Sequence, residues 1–187
     1  MDLIQGLSAF CPWNEQEAQD RLELLRRLQS GESLYDRENT SAHLTASAWV
    51  VSPDRTRVLM AYHNLYDSWA WLGGHADGQR DLLAVALREV QEESGLTEVR
   101  PVSRQIYSLE ILTVDGHEKR GHYVSSHLHL NVTYLLEADP AAPIQPKPDE
   151  NTRVSWFSPE EAVSASSEPW FRERIYKKLN KKLEAFR

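Results

Sequence analysis

Three glutamates stand at a spacing that gains chemical meaning if their segment is helical. Glu89, Glu92 and Glu93 lie at i, i+3 and i+4, so a helix places all three carboxylates on one face, with about 5–6 Å between Cβ atoms. Like charges this close repel, and the segment REVQEESG supplies only Arg88 as a cation. Mg²⁺ relieves such repulsion, because it binds a few carboxylates together with water and substrate phosphates. The spacing therefore indicates a metal platform, although most charge runs of this kind are solvated helix faces.

The sequence around these glutamates predicts the elements that position them. Residues 81–94 have helical character, and Gly95 follows as a C-cap residue. Further elements are predicted as an amphipathic helix over 13–28, strands over 43–51 and 57–63 joined by a hairpin turn, extended chain over 99–114, a strand over 127–137, a Pro-rich loop over 139–148, a strand over 153–157, a capping box at 158–161 and a terminal helix over 170–183. Helices mixed with hairpin-linked strands, without a repeat, favour an α+β fold or an α/β/α sandwich.

Composition restricts the class of protein and its surroundings. The 187 residues fit one compact domain, and 21 basic against 28 acidic residues give a net charge of −7, which argues against duplex nucleic acid as a partner. Cys11 is the only cysteine, so an internal disulfide is excluded and a reducing compartment fits best. The chain has no run of 18 apolar residues and no signal-peptide pattern, so we expect a cytoplasmic protein without a membrane partner.

The segment GGHADGQRDLLAVALREVQEESGL resembles the Nudix box. That pattern is a Gly, five residues, a Glu, seven residues, and then Arg-Glu-aliphatic-x-Glu-Glu-x-Gly-aliphatic. Eight of its nine defined positions are present, namely Gly74, Arg88, Glu89, Val90, Glu92, Glu93, Gly95 and Leu96. A chance match this good has a probability on the order of 10⁻⁶ to 10⁻⁵ at ordinary residue usage. The resemblance is specific for the family and silent on the substrate.

The resemblance implies a fold and an activity. The fold would be a Nudix-type α/β/α sandwich with a mixed sheet and additional N-terminal and C-terminal helices. Residues 1–41 would then be a helical extension packed on the domain, and residues 42–187 the Nudix hydrolase domain with its C-terminal helix. The activity would be Mg²⁺- or Mn²⁺-dependent hydrolysis of the diphosphate in a nucleoside diphosphate linked to another group. Metal ions suit this reaction, since they neutralise the diphosphate and activate water. The oligomeric state stays open, and a homodimer is compatible with the sequence.

The resemblance also implies roles for individual residues. The glutamates Glu89, Glu92 and Glu93 would hold the metal, and a backbone carbonyl at Gly73 or Gly74 would add a ligand. Arg88 would orient Glu92 or a neighbouring carboxylate by charge-assisted hydrogen bonds.

The general base has two candidates. Within the box Glu89 is the first. Some family members instead use a Glu in a loop before a late Trp, and Glu150 stands six residues before Trp156. An ordinary polar loop carboxylate is the competing interpretation of Glu150.

The one departure from the box is Arg80, which occupies the position of the first Glu. We hypothesise that Arg80 reaches a substrate phosphate, while an exposed Arg tolerated at a helix start is the alternative. The substitution also favours a second function, a catalytically silent Nudix domain that binds a nucleotide as a sensor. A third alternative is a metal-dependent isomerase of the same fold, which needs a reactive Cys. Cys11 lies far from the box in the sequence, which argues against this alternative.

Aromatic and imidazole side chains supply further candidates for substrate binding. Trp69 and Trp71 can stack a base, although a role in the core is the more common one for such residues. On the strand over 127–137, His127 and His129 share a polar face with Asn131. Two His at this spacing can bind zinc, but no third ligand is specified, so substrate contact by His129 or a satisfied, half-exposed His is favoured over a metal site. His75 follows the glycines and belongs near the site by location.

The predicted terminal helix carries a basic face. Its lysines are Lys177, Lys178, Lys181 and Lys182. Contact with RNA or phospholipid is one interpretation, but such faces are usually solvated.

Overall fold

The computed structural model describes residues 2–119 and 121–185. The helices are α1 (Leu3–Ala9), α2 (Glu15–Gln29), α3 (Leu82–Ser94), α4 (Pro159–Ala165) and α5 (Lys177–Glu184), with a π-helical segment (Phe171–Tyr176) leading into α5. The strands are β1 (Ala42–Val51), β2 (Val58–His63), β3 (Ser68–Ala70), β4 (Leu72–His75), β5 (Val99–Pro101), β6 (Ser108–Val114), β7 (His117–Lys119), β8 (His122–Val124), β9 (His127–Ala138) and β10 (Asn151–Phe157).

The large sheet is mixed, as predicted. The order of its main strands is β10-β2-β1-β9-β5. In addition, β3 pairs with β2, β4 with β1, and β6 with β9. The pair β1 and β9 runs parallel, while the other pairs are antiparallel. Strand β4 pairs with the first half of β1 and β2 with its second half, so these two strands share one edge of β1, and β9 pairs along the other.

Two apolar cores cover the two faces of this sheet. Strand β1 is buried along its whole length. One of its faces, which includes Leu44 and Val50, packs in a core with residues of α1, α2 and α3, whereas Trp49 and Val51 pack with α4 and α5. Helices on both faces of a mixed sheet confirm the predicted α+β sandwich with terminal helices.

The second face becomes polar where β1 and β9 begin. Cross-strand register pairs His43 with His129, Thr45 with Asn131, and Ser47 with Thr133. Because side chains on one face of a strand recur every second residue, these six side chains form one polar surface next to the apolar core around Trp49. This surface and α3 border a cleft.

Helix α3 has the boundaries that its sequence predicts. Asp81 is the N-cap residue, and its side chain accepts a hydrogen bond of 3.2 Å from the backbone N–H of Ala84. Gly95 ends the helix with φ 71°, a left-handed conformation that favours glycine. The predicted capping box at Ser158 and Glu161 is also present at the start of α4.

Several features were not predicted from the sequence, among them strands β3 and β4, which precede α3. Helix α1 precedes α2, a small hairpin is formed by β7 and β8, and the terminal helix begins as a π-helical segment. The expectation of a solvated basic face on the terminal helix is wrong for Lys178 and Lys182, which are buried, and holds for Lys177 and Lys181. The two buried lysines face Glu17 of α2, a partner too distant in sequence for helical periodicity to reveal. No helix within residues 2–119 and 121–185 has the length and apolar character required to cross a bilayer.

Candidate active site

The three glutamates of α3 differ in exposure. Glu93 is 5% exposed, the side chain of Glu89 is 12% exposed, and that of Glu92 is 44% exposed. All three border the same cleft. The three carboxylates of α3 therefore lie at increasing exposure along the cleft, with Glu93 the most buried, then Glu89, and Glu92 the most exposed.

Glu93 is anchored to the strand that precedes α3. Its Oε2 accepts a hydrogen bond of 3.0 Å from the backbone N–H of Gly73 in β4. Burial raises the pKa of Glu93 well above the ordinary value, and nearby Glu89 and Glu150 act in the same direction. Ionising a carboxyl group in this environment costs free energy unless a cation lies close to it.

Glu89 packs directly against the backbone of Gly74. A Cβ atom at Gly74 would lie 2.5 Å from the Glu89 carboxyl carbon, a separation that no real side chain tolerates. Arg88 Nη2 donates to Glu89 Oε1 at 2.7 Å and to the carbonyl oxygen of His75 at 3.2 Å. Burial raises the pKa of Glu89 despite this contact with Arg88, and Glu92 and Glu150 contribute in the same direction. The absence of a side chain at Gly74 thus lets Glu89 occupy its place.

Lys147 links the helix to the Pro-rich loop. Its Nζ lies 3.0 Å from Glu92 Oε2 and 3.1 Å from Glu150 Oε1. The loop is fixed near α3 because Asn151 donates from Nδ2 to the carbonyl oxygen of Glu93 at 3.0 Å. Glu150, a sequence-based candidate for the base, is thereby brought to the same cleft as Glu89. Lys147 itself was missed, since a single Lys in a loop carries no pattern.

The cleft has a volume of about 1070 Å³, slightly above the roughly 300–1,000 Å³ usual for small-molecule sites. Trp71 lines it and packs edge-on against Phe171 and Tyr176. Tyr66, another aromatic residue of the lining, is 43% exposed and was missed because it lies in a loop. The cleft therefore offers aromatic surfaces as well as carboxylates.

Two predicted substrate-binding residues lie outside the cleft lining. Trp69 packs edge-on against Phe157 in the second core. Arg80 is exposed, and its guanidinium carbon lies 4.8 Å from the centre of the Tyr35 ring. Their predicted contacts with substrate stay predictions, and Arg80 would have to leave Tyr35 to make one.

His75 and His129, the predicted imidazoles, both line the cleft. Their ring centres are 4.9 Å apart, and each is within 5.1 Å of the ring of His43. Burial lowers the pKa of His129 to about 2, with the neighbouring imidazoles contributing, and burial also lowers the pKa of His43. His43 was not singled out from the sequence, because only the parallel pairing of β1 with β9 brings it to His129.

A buried polar network forms the floor beneath the cleft. Asn131 Oδ1 accepts hydrogen bonds from Thr45 at 3.0 Å and Ser47 at 2.9 Å, and Asn131 Nδ2 donates to Glu110 Oε2 at 3.0 Å. The Nζ of Lys178 lies 3.0 Å from Glu110 Oε1. The terminal helix therefore reaches the cleft floor through one buried ion pair.

The donor set on α3 fits Mg²⁺ or Mn²⁺. Glu89, Glu92 and Glu93 supply carboxylate oxygens, which are the ligands that hard divalent cations prefer. Arg88 and Lys147 make ion pairs with Glu89 and Glu92, whereas Glu93 has no ion pair within 4.0 Å among the described residues and feels Lys147 only at longer range. A divalent cation would supply the missing positive charge beside Glu93.

Solved structures share this architecture at low sequence identity. A hydrolase of the NUDIX family from Clostridium perfringens is 21% identical, with a TM-score of 0.53 over 78% of this chain and 98% of its own. The E. coli dihydroneopterin triphosphate pyrophosphohydrolase is 16% identical, with a TM-score of 0.54 over 78% and 97%. A C. elegans Ap4A hydrolase is 18% identical, with a TM-score of 0.50 over 76% and 96%. These similarities show that the fold is the one used by Nudix hydrolases.

The sequence itself assigns the family. The model of the NUDIX domain matches residues 42–179, which is well over half of the chain. The chain therefore belongs to the Nudix family and is a hydrolase of the Nudix type, as the box predicts. A comparison with curated proteins gave no match.

Proposed function

We propose that this chain is a Mg²⁺- or Mn²⁺-dependent hydrolase that cleaves the diphosphate of a nucleoside diphosphate derivative or a similar small molecule. The observation that carries the proposal is the placement of Glu89, Glu92 and Glu93 on one edge of a cleft, with the glycine backbone of β4 against two of them. Two of the solved structures with this fold are a pyrophosphohydrolase and an Ap4A hydrolase, which supports a nucleotide-like diphosphate as substrate.

The size and lining of the cleft support a substrate that contains a diphosphate and an aromatic ring. A volume of about 1070 Å³ accommodates more than an isolated diphosphate. Trp71 and Tyr66 provide faces for stacking, which contributes about 1–3 kcal/mol per base in nucleic-acid complexes. The carboxylates alone would repel a diphosphate, so binding requires the cation.

A bound divalent cation would neutralise the diphosphate and lower the pKa of a coordinated water. Glu89, Glu92 and Glu93 would hold it, with a backbone carbonyl at Gly74 as a further ligand. Arg88 keeps the Glu89 carboxylate oriented through its 2.7 Å contact.

Hydrolysis also needs a group that accepts a proton from the attacking water. Glu89 is largely buried at the cleft and contacts Arg88 at 2.7 Å, and a base must lie within hydrogen-bond reach of the water that it deprotonates. Glu150 borders the same cleft and is tied to Lys147 at 3.1 Å. We propose these two as the candidates, and the pH dependence of turnover in Glu150→Gln distinguishes them.

The test is a panel of diphosphate compounds assayed with Mg²⁺ and with Mn²⁺. We expect metal-dependent release of phosphate-containing products, lost in Glu93→Gln and Glu92→Gln. Glu98→Gln is the matched control, because Glu98 is exposed and lies outside the cleft lining. Turnover that survives Glu93→Gln, or that needs no metal, would contradict the proposal.

The second candidate is a silent domain that binds a nucleotide as a sensor. It is favoured by one observation, Arg80 at the position where the family carries its first Glu. Nucleotide binding by calorimetry without turnover across the panel would support the sensor. Metal-dependent turnover that requires Glu93 would exclude it.

Several sequence-based predictions stay part of the proposal. We propose the division of the chain into an extension over residues 1–41 and a catalytic domain over 42–187, a cytoplasmic location and, as an open alternative to a monomer, a homodimer. The proposed partner is a small molecule. We propose no duplex nucleic acid as a partner, since the net charge is −7, and no membrane, since the sequence has no run of 18 apolar residues.

A further inference from the structure

A second group of potential metal ligands borders the same cleft as the carboxylates, through His75 and His129. Five of the seven histidines gather where β1, β4 and β9 meet, and the ring centres of His43, His75, His127 and His129 are 4.9–5.1 Å apart in five pairings. His117 adds a fifth ring, 6.4 Å from His127. One nitrogen from each of His43, His75 and His129 lies within 4.8 Å of the other two. Imidazoles from three strands thus converge on a single point.

His43 is the most informative member of the cluster. It is 4% exposed, and its Nδ1 lies 3.1 Å from the carbonyl oxygen of Asn39. A carbonyl only accepts hydrogen bonds, so Nδ1 carries the proton and Nε2 presents a lone pair. This Nε2 is buried and has no hydrogen-bond partner among residues 2–119 and 121–185. Buried polar atoms are nearly always satisfied, so the orphaned nitrogen requires an explanation.

The same arrangement is typical of histidines that bind metals. Such residues almost always donate their second ring N–H to a backbone carbonyl or a carboxylate, which fixes the tautomer and the ring orientation. The bond from His43 to Asn39 has this form. The Nδ1 of His127 lies 2.8 Å from the carbonyl oxygen of Ser125 in the same way, but its Nε2 lies 3.2 Å from Nε2 of His129, so His127 is a neighbour of the proposed ligands and not one of them.

We propose that His43, His75 and His129 form a binding site for a divalent transition-metal ion, with Zn²⁺ the best match, distinct from the carboxylate site on α3. Tetrahedral Zn²⁺ with Zn–N bonds of about 2.0–2.1 Å places its ligand nitrogens about 3.3 Å apart. The described nitrogens are within 4.8 Å, so modest ring rotations close the site. For imidazole ligands the same geometry places ring centres about 5.2 Å apart, close to the observed spacing.

The chemistry of the two sites separates their metals. Imidazole suits Zn²⁺ and its transition-metal neighbours, whereas carboxylates suit Mg²⁺ and Mn²⁺. Three imidazoles leave a coordination position for water or a molecule in the cleft, since His75 and His129 line it. The sites are adjacent, because Arg88 contacts both Glu89 and the backbone of His75. An ion at the imidazole site would add positive charge to the cleft wall.

The test is titration of the chelator-treated full chain with Co²⁺, followed by visible absorption, with Zn²⁺ as the competitor and excess Mg²⁺ present to fill the carboxylate site. We expect one ion per chain with a tetrahedral spectrum. His75→Ala and His129→Ala should weaken binding by about 100-fold or more, beyond the 10–100-fold that loss of an outer-shell partner costs. His122→Ala, which removes an exposed imidazole outside the cluster, should leave binding unchanged, as should Glu92→Gln.

The outcomes that overturn the proposal are equally definite. They are absence of Co²⁺ binding, a spectrum of octahedral type, or binding that is lost in Glu92→Gln and retained in His129→Ala. Retained Mn²⁺ binding at the carboxylates shows that the His variants remain folded. A measurement on the wild-type chain covers the case in which they do not fold: Zn²⁺ should shift the ¹⁵N resonances of the rings of His43, His75 and His129, and unchanged resonances refute the site.

Discussion

The contact between Gly74 and Glu89 permits a sharp test of the proposed active site. In Gly74→Ala the new Cβ would lie 2.5 Å from the carboxyl carbon of Glu89 and 2.6 Å from its Oε2, whereas ordinary contacts begin at 3.4 Å. The carboxylate must therefore retreat by about 1 Å, and a displacement of this size at a reacting group costs roughly 100-fold in rate. We expect turnover to fall by about this factor, which equals about 2.7 kcal/mol of transition-state stabilisation.

Two assays measure this effect. Mn²⁺ affinity by electron paramagnetic resonance reports on the carboxylates whether or not the natural substrate is known, and we expect it to weaken. Turnover of the best compound from the panel, with metal in excess, then separates poor metal binding from poor positioning. The unfolding midpoint should change little, because the clash is with the end of a side chain.

Gly73→Ala is the matched comparison. There the Cβ would lie 2.6 Å from the carbonyl oxygen of Ala46 and 2.7 Å from the Cα of Ser47. Backbone atoms in a paired strand cannot retreat as a carboxylate can, so this variant should lose stability or fail to fold. We therefore expect different effects from the two neighbouring substitutions: Gly74→Ala should lower turnover, and Gly73→Ala should lower the stability of the fold.

Turnover and Mn²⁺ affinity at the wild-type level in Gly74→Ala would refute the reasoning. Neither property would then depend on the position of the Glu89 carboxylate against Gly74. A further check places Gly74→Ala in a Glu89→Ala background. With the clashing carboxylate removed, the substitution should leave Mn²⁺ affinity where Glu89→Ala alone sets it. An additional loss would mean that Gly74 acts by another route.

Three further predictions concern charged residues around the site. Burial opposes ionisation of Glu17, but the two buried lysines of α5 outweigh it and hold the pKa of Glu17 below its ordinary 4.5. Its stabilising contribution is therefore complete above pH 4.5 and is lost as the pH falls through the lower folded value, so Glu17→Gln should flatten the acid side of a denaturant-stability profile. Lys147→Gln should raise Mn²⁺ affinity by up to about fivefold in a binding titration, because the ammonium group competes for Glu92 and such partly exposed pairs contribute about 0.2–1 kcal/mol. Arg80→Ala should leave KM unchanged in steady-state kinetics, since its guanidinium packs on Tyr35, and a large rise in KM would support phosphate binding instead.

Local sequence patterns predicted the elements of this fold well. Asp81 and Gly95 marked the ends of α3, and the alternation after His127 marked β9 and its polar face. These features depend on residues within a few positions of one another. The same reasoning missed α1 and the hairpin of β7 and β8, which are short elements with weak periodicity.

Contacts across the sheet could not be predicted in the same way. His43 meets His129 because β1 and β9 pair in parallel in one particular register, and nothing near either residue encodes that register. Lys147 meets Glu92 across 55 positions for a similar reason. The box identified the three carboxylates and Arg88. The positions of Lys147 and His43 beside the site, by contrast, follow only from the topology of the sheet.

The buried charges beneath the cleft explain why the terminal helices belong to the site. Asn131 and Glu110 can be buried only if their polar atoms are satisfied, and Lys178 of α5 lies within 3.0 Å of Glu110. Lys178 is also 3.3 Å from Glu17 of α2, so the two terminal helices share one charge network. Removing one member of a buried pair strands the other at a cost of about 3–5 kcal/mol. The helices that lie outside the box thus hold the floor of the cleft in which we propose that the substrate binds.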